Sequence, residues 1–262
     1  MTTAAALGLD LGSTTAKIVA VDAGGDLVWD LLEPAEPRAE PQVARFTEAA
    51  AAALGRADLP LVATGYGRNL VTGAARKVTE ITCHARGVFR ALGHGGTLVD
   101  IGGQDSKVIV IGEKGNVLGF SMNDKCAAGT GRFLENTAAR LRVALDDMGR
   151  EALATPTEVP ISSTCTVFAE SEIVSLIARG AAVESIVRGL HRSLVQRVVS
   201  MVRAAGKQPP ILLSGGVARN EAVRRFLSEA LAEPVLLPEH PQLMGAYGAA
   251  LIALEGAGRA GG

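Results

Sequence analysis

Neither sign of charge is in excess in this sequence, and no long apolar run occurs in it. Lys and Arg number 26, and Asp and Glu number 27, so the net charge is −1. No basic surface is therefore expected to attract nucleic acid. No uncharged apolar run approaches the ~20 residues that a membrane-spanning helix needs. Residues 1–11 lack a basic region before their apolar run, which favours a first β-strand over a signal peptide. We expect a soluble, cytoplasmic protein with no nucleic-acid or membrane partner.

Cysteine is scarce as well. The 262 residues contain three cysteines, Cys83, Cys126 and Cys165. An odd number cannot pair completely within one chain, and no export signal is recognised. The count therefore argues against a disulfide framework and for thiols or metal ligands.

The common P-loop motif, G-x-x-x-x-G-K-[ST], is absent, so a P-loop nucleotide site is excluded. Residues 256–261 match G-x-G-x-x-G, but they follow a helical pattern and precede no helix. A dinucleotide-binding turn needs a strand before it and a helix after it. This match therefore predicts only a flexible tail.

The chain does contain an internal duplication. An apolar run ends at Asp10, a glycine turn follows, and Lys17 comes seven residues after the aspartate. Asp100 and Lys107 repeat this spacing ninety residues later. In each copy an alternating, β-rich run follows the turn, over residues 17–21 and 107–111, and a second turn leads to a third strand. The duplication predicts two α/β halves, residues 1–94 and 95–262.

Helical periodicity and buried strands complete each half. Helices are predicted over residues 41–54, 80–92, 131–145, 167–179, 183–205, 221–231 and 242–254. Strands are predicted between helices, over residues 61–64, 211–214 and 235–237, as in a parallel sheet with both faces covered.

These segments resemble the actin-like ATPase fold, an α/β fold of two ribonuclease-H-like halves. Residues 8–15 and 100–104 resemble its two phosphate loops, and residues 213–220 resemble its adenosine motif. Residues 64–68 and 245–250 resemble its two connecting segments. One Asp-x-Gly could be a simple turn after a strand, but two copies in matched settings favour a nucleotide site.

The residue types suit phosphate chemistry. Glycines let backbone N–H groups approach phosphate oxygens, hydroxyls add donors, and carboxylates hold hydrated Mg²⁺. We expect Asp10 and Asp100 to hold Mg²⁺ on ATP or ADP in the cleft between the halves, and Gln104 to position the attacking water. The predicted nucleotide-binding residues are Gly12, Ser13, Thr14, Thr15, Lys17, Gly102, Gly103, Gly215, Gly216 and Asn220.

Cys126 and Cys165 each precede a helical pattern, and we expect them to begin helices. Small residues surround Cys126, and Ser and Thr residues precede Cys165. A helix N-terminus stabilises thiolates, which suits an anionic cluster. A 4Fe–4S cluster takes four thiolates, so two per chain would fit a two-fold dimer. A shared zinc ion or two packing thiols remain alternatives. Cys83 lies in the apolar pattern of a helix and is predicted to be a buried thiol.

The segments around these cysteines, residues 123–135 and 162–172, are similar to those of the activator ATPases of 2-hydroxyacyl-CoA dehydratases. This family includes the ATPase subunits of ATP-dependent benzoyl-CoA reductases, and the resemblance covers nearly the whole chain. It implies a homodimer with one bridging 4Fe–4S cluster and a helix-cluster-helix interface. It also implies ferredoxin or flavodoxin as the electron donor and a dehydratase or related reductase as the acceptor. Cys126 and Cys165 would be the cluster ligands.

Two other functions are compatible with parts of the sequence. A small-molecule kinase of the same fold would need no iron and gives no reason for the cysteine segments. A non-catalytic scaffold could use the cysteines for a structural zinc site at a dimer interface. The sequence does not identify the acyl-CoA, or distinguish a homodimer from a heterodimer with a related subunit.

Overall fold

The computed structural model describes residues 3–161 and 166–260. Ten strands occur among them: β1 Ala4–Leu11, β2 Thr15–Asp22, β3 Leu27–Pro34, β4 Leu61–Thr64, β5 Arg76–Lys77, β6 Gly96–Ile101, β7 Ser106–Ile111, β8 Val117–Asn123, β9 Ile211–Ser214 and β10 Val235–Leu236. Eight α-helices occur in the same described part: α1 Ala39–Leu54, α2 Glu80–Leu92, α3 Gly131–Leu141, α4 Met148–Leu153, α5 Thr166–Ala178, α6 Val183–Ala205, α7 Glu221–Leu231 and α8 Met244–Ala260. None of these helices combines the length and apolar character needed to cross a membrane.

The chain forms two compact units. The first unit comprises Met1–His94, Glu113–Val117 and Gln242–Gly262, and the second comprises Gly95–Gly112 and Leu118–Pro241. Each unit is built on its own five-stranded sheet.

The sheet of the first unit has the strand order β3-β2-β1-β4-β5. Its central strand, β1, runs antiparallel to β2 and parallel to β4. The register places Asp10 opposite Lys17 on one side and opposite Thr64 on the other. Nearly every residue of β1 is buried, as expected for a central strand that is covered on both faces.

The sheet of the second unit repeats this plan, with the order β10-β9-β6-β7-β8. Strand β6 runs antiparallel to β7 and parallel to β9, and Asp100 lies opposite both Lys107 and Ser214. The duplication predicted from the two Asp–Lys spacings is therefore confirmed at the level of strand order and register.

Each unit has its own apolar core. In the first unit Leu9 and Ile18 pack with Phe46 of α1. In the second unit, apolar side chains of β6, β7 and β9 pack against α6 and α7, and Phe226 is among the fully buried residues. Burial of such side chains contributes roughly 1.5–3 kcal/mol each.

The C-terminal helix α8 packs within the first unit, against β1 and α2, whereas the sequence placed it in the second half. Two glycines permit this packing. A Cβ on Gly8 would lie 2.0 Å from the carbonyl oxygen of Ala246, and a Cβ on Gly248 would lie 1.8 Å from the carbonyl oxygen of Cys83. The contact joins the two ends of the sequence, so local patterns did not reveal it.

Most predicted helices have bounds close to those expected, and α2, α6 and α7 match them residue for residue. Helix α8 continues to Ala260, so residues 256–260 are helical, and the flexible tail predicted there is wrong for these residues. Helix α3 was expected to reach residue 145 but ends at Leu141. Arg142 adopts a left-handed conformation with φ of 56°, and Val143 N–H donates to Ala138 O, which closes the helix end. Helix α4 and strand β5 are short elements that the sequence reading missed.

Candidate functional site

The predicted first phosphate loop lies between β1 and β2. Asp10 ends up buried beside Lys17, with 3.3 Å between Lys17 Nζ and Asp10 Oδ2. Gly12 N–H donates to Thr15 O at 3.1 Å and closes the turn. A buried carboxylate paired with an ammonium group is thus held beside a tight turn of backbone donors.

Hydroxyl groups are the second feature of this loop. Ser13 is exposed, whereas the Oγ1 atom of Thr14 is buried and makes no hydrogen bond within the described part of the chain. An unsatisfied buried hydroxyl is costly unless a ligand or water pairs with it. The contact between Thr14 and a phosphate oxygen stays a prediction.

The predicted second phosphate loop lies between β6 and β7 and has the same turn, with Gly102 N–H donating to Asp105 O at 2.9 Å. The Nζ atom of Lys107 lies 3.5 Å from Asp100 Oδ2 and 2.6 Å from Asp105 Oδ2, and all three side chains are buried. Ser214 Oγ donates to Asp100 Oδ1 at 2.7 Å. Gln104 is exposed on the turn.

Asp105 and Ser214 are polar residues of this site that the sequence motifs did not predict. An acidic residue inside the glycine turn, between the matched aspartate and lysine, was the available signal for Asp105. Ser214 could have been found from its place at the end of β9, parallel to and beside Asp100.

A glycine of unusual backbone conformation follows each inner parallel strand. Gly65 follows β4 and Gly215 follows β9, and both have φ of 87°. A Cβ would lie 2.4 Å from Asp10 Oδ1 at Gly65, and 2.3 Å from Ile101 O at Gly215. One 3₁₀ turn follows each glycine, Tyr66–Leu70 and Gly216–Arg219. The predicted connecting segment and adenosine motif are thus equivalent parts of the two units.

The side chain of Asn220 is held within the protein. Its Oδ1 atom accepts a hydrogen bond from Val223 N–H at 3.1 Å and caps α7. Its Nδ2 atom lies 2.9 Å from Nε2 of the buried His191. The contact between Asn220 and adenosine stays a prediction, because the structure gives this amide a role in positioning the loop.

The three cysteines lie in different settings. Cys83 is fully buried in α2, as predicted, and burial raises the pKa of its thiol to about 12. Cys126 is a half-buried thiol, and Asn123 Nδ2 donates to its carbonyl oxygen at 2.8 Å and to Ala128 O at 3.2 Å. Cys165 falls outside the described residues.

Cys126 does not begin a helix, which corrects the sequence expectation. Helix α3 begins at Gly131. Gly129 has φ of 90° and Thr130 is extended, so the chain between Cys126 and Gly131 is not helical.

The first turn of α3 is tied to the second phosphate loop. Gly131 N–H donates to Gly102 O and Arg132 N–H donates to Gly103 O, both at 2.8 Å. N–H groups in the first turn of a helix have no partner within the helix, so the loop carbonyls satisfy them. The cysteine-bearing segment therefore adjoins the second phosphate loop through direct backbone contacts.

Among the residues that the structure describes, no group of three or more His, Cys, Asp or Glu side chains forms a ready-made metal site. Mg²⁺ does not need such a cage, since one or two carboxylates suffice when phosphate oxygens and waters complete its shell.

Comparison with known proteins gives consistent matches over nearly the whole chain. The 2-hydroxyisocaproyl-CoA dehydratase activator of Clostridioides difficile is 41% identical over 251 residues, which cover 95% of this chain and 94% of that protein. The (R)-2-hydroxyglutaryl-CoA dehydratase activating ATPase of Acidaminococcus fermentans is 39% identical over 256 residues, which cover 97% of this chain and 98% of that protein.

A solved structure matches as closely. The activator of the 2-hydroxyisocaproyl-CoA dehydratase from Clostridium difficile, with bound ADPNP, superimposes with a TM-score of 0.91 at 41% identity. The match covers 98% of this chain and 96% of that one. The predicted actin-like ATPase fold is confirmed. The sequence also matches a defined protein family over residues 7–253. The chain therefore belongs to the BadF/BadG/BcrA/BcrD ATPase family.

Proposed function

We propose that this chain hydrolyses ATP to drive single electrons into a 2-hydroxyacyl-CoA dehydratase or a related CoA-ester reductase. The observation that carries the ATPase part is the repeated loop, in which each unit holds a buried aspartate opposite a lysine and beside a glycine turn. The acceptor is proposed from the relatives, which are named as dehydratase activators.

The residues of both loops have complementary roles in this proposal. Backbone N–H groups of Gly12, Gly102 and Gly103 and the hydroxyls of residues 13–15 bind phosphate oxygens. Lys17 and Lys107 balance the negative charge of the aspartates beside them, Asp10 and Asp100. Gln104 is exposed on its turn, where it is free to orient a water molecule towards the terminal phosphate.

Magnesium fits the donor set of the loops, since each offers a buried carboxylate, the ligand type that Mg²⁺ prefers. Asp10 and Asp100 would hold the ion. When bound, Mg²⁺ would neutralise charge on the phosphates.

A 4Fe–4S cluster fits the chemistry of the Cys126 segment. The thiol is half-buried, and the Asn123 amide fixes the backbone around it. We propose that Cys126 and Cys165 supply two thiolates per chain, so that a homodimer completes the four that the cluster takes. When bound, the cluster would carry single electrons received from ferredoxin or flavodoxin.

Asp100→Asn tests the nucleotide site. Loss of this carboxylate should lower the rate of ATP hydrolysis by about 100-fold or more, because it would no longer hold the Mg²⁺ ion that neutralises charge on the phosphates. Asp30→Asn, an exposed aspartate on β3, is the matched control and should hydrolyse ATP at the wild-type rate. Undiminished turnover in Asp100→Asn would refute the assignment.

Cysteine variants test the cluster. Under anaerobic conditions, Cys126→Ala and Cys165→Ala should each give colourless protein without iron or sulfide, whereas Cys83→Ala should stay brown. Native mass should report a dimer for the wild type. Full iron content in a strict monomer would overturn the bridging arrangement, and a colourless wild type with zinc would favour a scaffold.

A further inference from the structure

His191 is a fully buried histidine to which the proposed function assigns no role. It lies on α6, and its Nδ1 atom is 2.7 Å from Val187 O. A carbonyl oxygen only accepts hydrogen bonds, so Nδ1 carries the proton. Burial lowers the pKa of His191 to about 4, and the ring is neutral at physiological pH. The Nε2 lone pair therefore accepts a hydrogen bond from Asn220 Nδ2 at 2.9 Å.

Asn220 in turn fixes the end of the predicted adenosine motif, residues 213–220. Its backbone N–H donates to Val217 O at 2.9 Å, and this bond ends the 3₁₀ turn. Its Oδ1 atom caps α7 through Val223 N–H. A Cβ on Gly149 of α4 would lie 3.0 Å from that Oδ1 atom, so α4 packs directly on the amide. With both amide ends engaged, only one orientation of the Asn220 side chain satisfies every partner.

The equivalent turn in the first unit lacks this arrangement. There the 3₁₀ turn after Gly65 ends in a buried apolar residue, Val71, whose N–H donates to Arg68 O. The same backbone therefore forms without a histidine–asparagine pair. Folding of the turn does not require the pair, which points to a demand specific to the second turn.

We propose that His191 is a positioning residue for adenosine binding, which holds the Gly215–Arg219 turn in place through the side chain of Asn220. This inference rests on the proposed assignment of residues 213–220 to adenosine. A satisfied buried polar pair of this kind fixes geometry, because any other arrangement leaves a buried donor unpaired.

The test separates adenosine binding from phosphate binding by calorimetry, with ADP and inorganic pyrophosphate as the two probes. His191→Leu removes the acceptor, and Asn220→Ser keeps an oxygen for the helix cap but removes the amide N–H that donates to His191. Each should weaken ADP binding about tenfold and leave pyrophosphate binding within about twofold. The double variant should lose no more than the single ones, because both changes break the same hydrogen bond. His191→Gln, which can still accept from Asn220, should regain ADP affinity to within about threefold.

Val199→Ala is the matched control for a purely structural effect. Val199 is buried on the same helix, so its truncation should lower thermal stability and leave the ADP affinity unchanged. Wild-type ADP affinity in both His191→Leu and Asn220→Ser would overturn the inference alone. An equal loss for ADP and pyrophosphate would overturn it as well, since that result indicates general damage. A wild-type protein that binds no ADP would remove the proposed function and this inference together.

Discussion

The turn between β1 and β2 carries two hydroxyl residues, Ser13 and Thr14, whereas the turn between β6 and β7 carries Gln104 and Asp105. Both turns are closed by the same backbone hydrogen bond, and both stand beside a paired aspartate and lysine. The aspartate of the second loop is held by more side-chain contacts than Asp10, which pairs with Lys17. Asp100 is bonded to Ser214 and shares Lys107 with Asp105. Duplication has thus kept the backbone of the two loops while their side chains took different partners.

The largest effect on stability is expected at the two glycines that follow β4 and β9, where both units share the same backbone conformation. Gly65→Ala and Gly215→Ala should each lower the free energy of unfolding by about 5 kcal/mol or prevent folding, because the new Cβ would meet backbone atoms. Urea denaturation measures the change.

Two other glycines supply matched controls, one in each unit. Gly73 and Gly180 also have positive φ, but a Cβ on either would meet nothing within 4 Å. Gly73→Ala and Gly180→Ala should therefore cost only about 1–2 kcal/mol, the cost of the left-handed conformation. A similar loss in all four variants would mean that close approach has no part in the effect.

The difference between the loops is tested by removing each lysine. Lys107→Met leaves two buried carboxylates without their common partner and should cost about 4 kcal/mol in unfolding free energy. Lys17→Met removes a less deeply buried ammonium group and leaves only one buried carboxylate without its partner, so it should cost about 2 kcal/mol. Adding Asp105→Asn to Lys107→Met should recover part of the loss. Equal costs for the two lysines would contradict the contrast drawn between the loops.

His191, beside the 3₁₀ turn of the second unit, adds a pH dependence that the corresponding turn of the first unit lacks. As pH falls from about 6.5 to 4, the unfolded chain gains a proton at His191 that the folded chain excludes, since burial holds the folded pKa at about 4. The free energy of unfolding should therefore decrease by about 3 kcal/mol between these two pH values. Below about pH 4, His191 should cause no further decrease. Comparison of denaturation curves for wild type and His191→Gln isolates the contribution. Parallel pH profiles would show that His191 is not the source.

Sequence periodicity was sufficient to predict those parts of the fold that are local or repeated. The spacing of Asp100 and Lys107 matched that of Asp10 and Lys17, and the register of the strands places each pair side by side. The apolar pattern of α6 also gave its bounds correctly.

Features that depend on distant contacts were not predictable in this way. The position of α8 depends on the close approach of Gly248 to the backbone of α2, and these two helices are far apart in the sequence. The motif predicts an adenosine contact for Asn220 but gives no sign of the hydrogen bond between Asn220 and His191. Asp105 was overlooked because its importance comes from the position of the Lys107 side chain, which strand pairing alone does not specify.

The two hydrogen bonds from the start of α3 to the carbonyls of Gly102 and Gly103 have a mechanical consequence. A displacement of the loop must either break both bonds or carry the first turn of the helix with it. Helix α3 has 11 residues and is therefore roughly 16 Å long. A tilt of about 10° at its bonded end would move the far end by about 3 Å, since the helix acts as a lever of that length. Small shifts of the phosphate loop are thus amplified along the helix that follows Cys126.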